Sequence, residues 1–468
     1  MKKAEIEKSL CETAAYLCIL SESGAGTADA AASLAEHAAY FGAAAEELKT
    51  AADETRLGVP IFNALENTAK TTPSEKLAAF LLGYVSSVKT TGTAVPYLRG
   101  AADTFLAKRK TAQKQYLDSL TIFAEIYLTL FAAAPLFFTV AWSAMLMISD
   151  TARPELINTL CIALPLLTAV FLIGIDRMEY LPKTAKRPPA EPEIAIPAWL
   201  KRHDRHMRQI AALKNPIRYL TENPKAVLIG SIPAALLLSI PVRENPYLCT
   251  AVLVLVSGVP YAVFSLRQEK RQREIEQALP EYLRSLGRAV NQGISLSEAV
   301  LLTVPEKSRI KEDIQQIADE IRFQTPVQTA FFHFASRVKN PAVTRMVILL
   351  GECCRFESNV SNALFRMADE QQEAAEAAEA RRTGMAPYTA VIYLAYLVFL
   401  FVMVILLLIF PGDIAEYSTY LVNTVVIQGI CSGFAAGKMG GGKTSAGVMH
   451  ACVMFAAGVV TFAVCGII

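Results

Sequence analysis

Seven apolar stretches with almost no charge, at 122–148, 156–175, 226–242, 247–266, 388–410, 420–436 and 446–468, constrain this chain more than any other feature. Each has, or nearly has, the roughly 20 residues a helix needs to cross a hydrocarbon core. Lipid offers no partner to backbone amides and carbonyls, so such stretches must satisfy themselves as helices. They account for a composition in which 53% of 468 residues are hydrophobic. The third stretch is the weakest, being short, bracketed by Lys225 and Arg243 and carrying Pro233 and Pro241. A re-entrant hairpin of the third and fourth stretches would leave the sidedness unchanged, because they count as a pair.

Orientation follows from loop charge. The segment 149–155 holds only Arg153, 243–246 only Arg243, and 411–419 no Lys or Arg, whereas 176–225 holds eleven Lys and Arg against six Asp and Glu. Lys438 and Lys443 fall in the last short loop. By the positive-inside rule the N-terminus is cytoplasmic and the C-terminus extracytoplasmic, in a multi-pass protein of the cytoplasmic membrane. Met1-Lys2-Lys3 runs directly into Glu5 and Glu7, and the apolar run 14–20 is shorter than a signal-peptide core, so residues 1–121 are expected to belong to the mature protein.

Catalytic chemistry finds little to stand on. Nine cysteines show no CxxC and no pairing pattern, and the five histidines form no ligand set, so no metal, cofactor or enzyme activity is expected. Cys353 and Cys354 read as small core residues. A net charge of +2 does not attract nucleic acid. Gly437-Lys438-Met439-Gly440-Gly441-Gly442-Lys443-Thr444 matches the phosphate-loop pattern, but that loop needs a strand before it and a soluble helix after it. Here both flanks are apolar spans, and the expectation is a tight glycine turn whose lysines mark the inner side. The pairs Asp53-Glu54 and Asp319-Glu320 suit either a divalent ion between helices or solvated, helix-capping acids.

The chain repeats itself. A shift of 266 lays Ala52-Asp53-Glu54 on Ala318-Asp319-Glu320, Pro60 on Pro326, Ala64 on Ala330, Ala69 on Ala335 and Ile126-Tyr127-Leu128 on Ile392-Tyr393-Leu394. With small gaps, Gly24 and Asp29 fall on Gly293 and Glu298, and Leu82-Gly83 on Leu350-Gly351. Within each copy apolar residues recur at three and four, as in Ile314, Ile317, Ile321 and Val343, Met346, Val347, Leu350. Breaks are expected at Gly24, Gly58 to Pro60, Pro73, Gly293, Pro305, Pro326 and Pro341. The fold class is therefore all-α: about seven transmembrane helices and two related cytoplasmic helix bundles. The expected domains are bundle 1–121, spans 122–175, a basic Pro-rich segment 176–225, spans 226–266, bundle 267–387 and spans 388–468. In the basic segment, 199–220 has the pattern of an amphipathic helix, suited to anionic lipid or to a solvated face packed on the bundles.

A transporter or channel component is the rival class, and it requires ionisable groups deep in the spans. Only Glu125 and His450 lie in them, both near the cytoplasmic end, while Asn423 and Gln428 suit bonds between packed helices.

Leu283 to Val300 with Gly293-Ile294-Ser295-Leu296-Ser297-Glu298-Ala299, the Leu350-Gly351 helix, Leu364 to Asp369 before a long span, and Ala436-Gly437-Lys438 followed by Gly447 and His450 resemble one family. It is the F-type platform proteins of type II secretion and type IV pilus assembly, most closely the archaeal members serving archaella and pili. The resemblance implies a homo-oligomeric membrane platform that couples a cytoplasmic hexameric secretion ATPase to pilin or archaellin subunits. It would work among membrane lipids, without a cofactor. On that footing Lys201, Arg202, Arg205 and Arg208, with Arg381 and Arg382, are expected to dock the ATPase. The approaches to the two long spans carry opposite charge, Lys108, Arg109, Lys110 and Lys114 against Glu370, Glu373, Glu376 and Glu379. These stripes are expected to meet and tie the copies together.

Overall fold

A computed structural model of the chain describes residues 2–148, 154–178, 219–221, 223–242, 246–306, 308–355, 360–409, 418–442 and 444–465. Among them there is no strand. Two compact units emerge. One is built from Met1–Lys114 and Arg271–Ala377; the other takes the described parts of Gln115–Glu179, 202–270 and Ala378–Ile468.

The first unit begins with α1 (Lys2–Glu22), α2 (Thr27–Glu36), α3 (Ala38–Phe41), α4 (Ala43–Arg56), α5 (Ile61–Thr71), α6 (Glu75–Thr91) and the start of α7 (Val95–Tyr127). The short apolar run in α1 lies on a helix buried on nearly every side, with Tyr16, Leu17, Ile19 and Leu20 all inaccessible. The second copy runs from the end of α11 (Pro246–Asn291) through α12 (Leu296–Leu302), α13 (Lys311–Arg322), α14 (Val327–Val338) and α15 (Pro341–Cys353) into α16 (Val360–Ile409).

Helix ends coincide at the shift read from the sequence. Pro60 and Pro326 precede α5 and α14 with φ of −55° and −54°. Ser74 and Asn340 cap α6 and α15, their side-chain oxygens accepting from Leu77 N and Ala342 N. Gly24 and Gly293, both with positive φ, end α1 and α11. Ile314 and Ile317 are buried with Ile321 packed beside them, and Val343, Met346, Val347 and Leu350 are buried too. Buried residues of both copies form one continuous core rather than two separate ones.

The second unit holds the apolar helices: the end of α7, its continuation α8 (Ala134–Ile148), α9 (Pro154–Met178), α10 (Pro224–Ser239), the start of α11, the end of α16, α17 (Ser418–Gly441) and α18 (Thr444–Val464). Seven helices among the described residues are long and apolar enough to cross a membrane. The short third stretch is α10, with Pro233 inside it and a 3-10 turn, Ile240–Val242, after it. Between α7 and α8 lies a π-helical turn, Leu128–Ala133, whereas the equivalent residues of the second copy continue α16 as ordinary α-helix.

Candidate interaction surfaces

The two copies are joined by polar contacts within the first unit. Ser33 Oγ donates to Glu352 Oε2 at 2.8 Å and also meets Tyr16 OH, while His37 Nε2 lies 3.4 Å from Glu352 Oε1. Burial acts to raise the Glu352 carboxyl, but the His37 and Ser33 hydrogen bonds and the Arg355 charge hold it below its ordinary range. Nearby, the buried Glu22 carboxylate receives Arg99 at 2.7 Å and Arg366 at 3.6 Å, and Arg366 reaches Asp103 at 3.0 Å. Ser33, Glu22 and Arg366 carry no signal in the sequence, and His37 stands there as an isolated histidine, because pairs up to 319 residues apart leave no local pattern.

The opposed stripes occupy this same junction, in part. Lys110 Nζ lies 2.8 Å from Glu373 Oε1. Arg109 turns instead to Glu12 at 3.2 Å, and Lys108 sits over the Phe105 ring. Glu376 accepts from Gln372 of its own helix, and Lys114 and Glu379 are exposed. Glu370 faces a cavity of about 360 Å³ that Asp103, Lys110, Arg366, Asp369 and Glu373 also line. Burial pushes its carboxyl up to about 7, opposed by Arg109.

Arg381 and Arg382 belong to the second unit. Arg381 Nη2 donates to the Lys438 carbonyl at 3.3 Å, and its guanidinium lies 5.3 Å from the Tyr116 ring centroid; Arg382 is exposed. Lys201, Arg202, Arg205 and Arg208 lie outside the described residues, as do nearly all of the amphipathic stretch and Lys443.

The phosphate-loop look-alike is mostly helix. Gly437 to Gly441 continue α17, and only Gly442, with φ of 72°, makes the turn. Lys438 is not a loop lysine as its neighbours suggested: it is 5% exposed inside α17 and ion-paired with Asp176 of α9. The glycines serve close packing. A Cβ on Gly433 would lie 2.2 Å from the Ala451 backbone and one on Gly437 2.1 Å from the Gly447 backbone, so α17 and α18 touch main chain to main chain.

Polar groups in the apolar unit bond between helices. Gln428 Nε2 donates to the Phe131 carbonyl at 2.6 Å, inside the π turn, where widened spacing leaves an acceptor. Tyr127 OH donates to Ser432 Oγ, and Tyr393 OH meets His450 Nδ1 at 2.8 Å.

The paired acids engage donors of the protein itself. Asp53 and Asp319 pair with Arg56 and Arg322, Glu54 accepts from Asn67, and Glu320 bonds His333 and Arg337. Among the described residues no group of three or more His, Cys, Asp or Glu is placed to hold a metal.

A helical unit built from two copies of one pattern, with three helices shared with a set of seven apolar ones, defines a polytopic membrane protein with an internal repeat. The profile of type II secretion system protein F matches residues 13–141 and 282–408, once in each copy and over more than half the chain. The chain belongs to this family, the membrane platform proteins of type II secretion and type IV pilus systems. An uncharacterised protein of Methanocaldococcus jannaschii is 20% identical over 484 residues, covering 98% of this chain and 80% of that protein. No solved structure matches.

Proposed function

We propose that this chain is the inner-membrane platform of an archaellum, pilus or secretion-type assembly machine, coupling a cytoplasmic hexameric ATPase to the insertion of pilin-like subunits into a filament. The observation that carries this reading is the family match in both copies, each running from the helical unit into its long apolar helix. α7 and α16 each run from a helical copy into an apolar stretch, so the chain itself links each copy to a span. Filament subunits carry their own apolar helices, which the lipid-facing surfaces of the spans would guide.

In this reading the N-terminus and both helical copies face the cytoplasm, and the ATPase docks on the basic residues of the central segment, Lys201, Arg202, Arg205 and Arg208, with Arg381 and Arg382 beside the membrane. The pairing of Lys110 with Glu373 links the two approaches at one point, beside the core that the copies share. Platforms assemble from more than one copy of the chain. The test is reconstitution in lipid nanodiscs with the purified ATPase. Binding that weakens with salt, and falls at least tenfold when the four central basic residues are reversed to Glu, supports the docking assignment. Equal binding by the reversed protein at all salt concentrations overturns it, and loss of surface filaments on deleting the chain tests the platform role itself.

A further inference from the structure

Residues 52–60 and 318–326 read Ala-Asp-Glu-Thr-Arg-Leu-Gly-Val-Pro and Ala-Asp-Glu-Ile-Arg-Phe-Gln-Thr-Pro, identical at five of nine positions. The shared residues all have work inside the fold. Ala52 and Ala318 are buried, and each Asp pairs with the Arg three residues on. Glu54 and Glu320 hold the following helix through Asn67 and through His333 with Arg337, and each Pro leads that helix in. Leu57 and Phe323 have no such work: they are 86% and 85% exposed, the most exposed large apolar residues among the described residues of the first unit.

Both side chains stand on the same backbone pedestal. Leu57 has φ −83° and ψ 3°, Phe323 φ −82° and ψ 20°, and each is followed by a left-handed residue, Gly58 or Gln324. The turn is closed in both copies by a 3.1 Å bond, Val59 N to Glu54 O and Thr325 N to Glu320 O. The backbone beneath the apolar group is therefore fixed, which confines the ordering entropy lost on binding to the side chain itself. One exposed leucine on a soluble surface carries no message. Two large apolar groups at one register of two diverged copies are different, because folding does not select them there.

We propose that Leu57 and Phe323 form a repeated docking knob that enters an apolar socket on a partner protein made of identical subunits. A partner with a single site would require the knob in one copy only, whereas an oligomer of identical subunits offers the same socket more than once. The half-exposed Asp53–Arg56 and Asp319–Arg322 pairs beside the knobs present both signs of charge, which fits a socket with a mixed charged rim. This rests on the platform reading, and the partner it commits to is the ring ATPase.

The experiment uses the full chain in nanodiscs and the purified ATPase ring. Leu57→Asp and Phe323→Asp each weaken binding about tenfold, and the double variant by about a hundredfold or more. Leu82→Asp, at a half-exposed position on α6 that belongs to neither turn, does not. The exchange Leu57→Phe with Phe323→Leu keeps wild-type affinity, because the sockets are the same. A photo-crosslinking residue at 57 or 323, introduced in native membranes, joins the ATPase. If the wild type binds the ring and both Asp variants bind equally well, the knob is overturned while the platform reading stands. If the wild type does not bind the ring, both fail. Crosslinks to lipid alone also overturn the proposal, since the knobs would then be membrane contacts.

Discussion

At the scale of single residues, the two copies solve one turn with different chemistry. Gly58 occupies the left-handed position at no steric cost, but its counterpart Gln324 holds φ of 62° with a Cβ present. Gln324→Gly is expected to stabilise the first unit by roughly 0.5–1 kcal/mol, and Gly58→Gln to destabilise it by a similar amount. Thermal melting of the purified variants in detergent checks both directions. Glu370 supplies a pH dependence. Its carboxyl, raised to about 7 by burial, faces Arg109, Glu12 and Arg345 on neighbouring helices and Arg366 one turn away on its own. The folded state thus holds this proton more tightly than the unfolded chain, whose glutamate loses it near 4.5. The contribution to stability is fully present below that ordinary value and is lost as pH rises through about 7. Glu370→Gln is expected to flatten the melting temperature across this window and to melt above wild type at pH 8. A variant as pH-sensitive as wild type would assign the titration elsewhere.

At the scale of elements, α17 and α18 depend on small residues spaced by four. Gly429 leaves room for the Tyr396 hydroxyl, and Gly433 and Gly437 let two backbones touch. Helices in lipid gain nothing from hiding apolar surface, so their pairing rests on close packing that a side chain at these positions destroys. Gly437→Leu is expected to abolish the hairpin and to leave little folded protein, whereas Gly230→Leu in α10, with nothing within 4 Å of an added Cβ, is tolerated. Fluorescence-detected size exclusion of the two variants separates them. The π turn in the first long helix is likewise held from outside: Gln428 bonds the Phe131 carbonyl that a regular helix would occupy internally.

At the scale of the whole molecule, sidedness decides which units can meet soluble partners. From the loop charges we propose that the N-terminus lies inside and the C-terminus outside, across seven spans. Reporter fusions after Lys114, Glu416 and Ile468 are expected to read inside, outside and outside. An inside reading at Ile468 would make the number of crossings even, and one of the seven apolar helices would then lie within or along the bilayer.

Much of this architecture is legible in the sequence. Apolar length alone marks spans, because lipid forbids unpaired backbone, and a three-and-four periodicity marks helices, because burial acts on one face. The breaks at Gly24, Pro60, Pro73, Gly293 and Pro326 all fall between helices, since glycine and proline act locally on φ and on a missing donor. The charge stripes could be seen on the two approaches, but not that Arg109 prefers Glu12 and that Lys110 takes Glu373. Tertiary structure alone decided that both copies share one core, that Glu352 lies against Ser33 and His37, that Lys438 is buried on Asp176, and that a glycine run resembling a phosphate loop is a helix-packing seam. The reason is physical: propensity, capping and hydropathy act over a few neighbouring residues and so are written locally. A pairing across 300 residues depends on which surfaces the folded helices bring together.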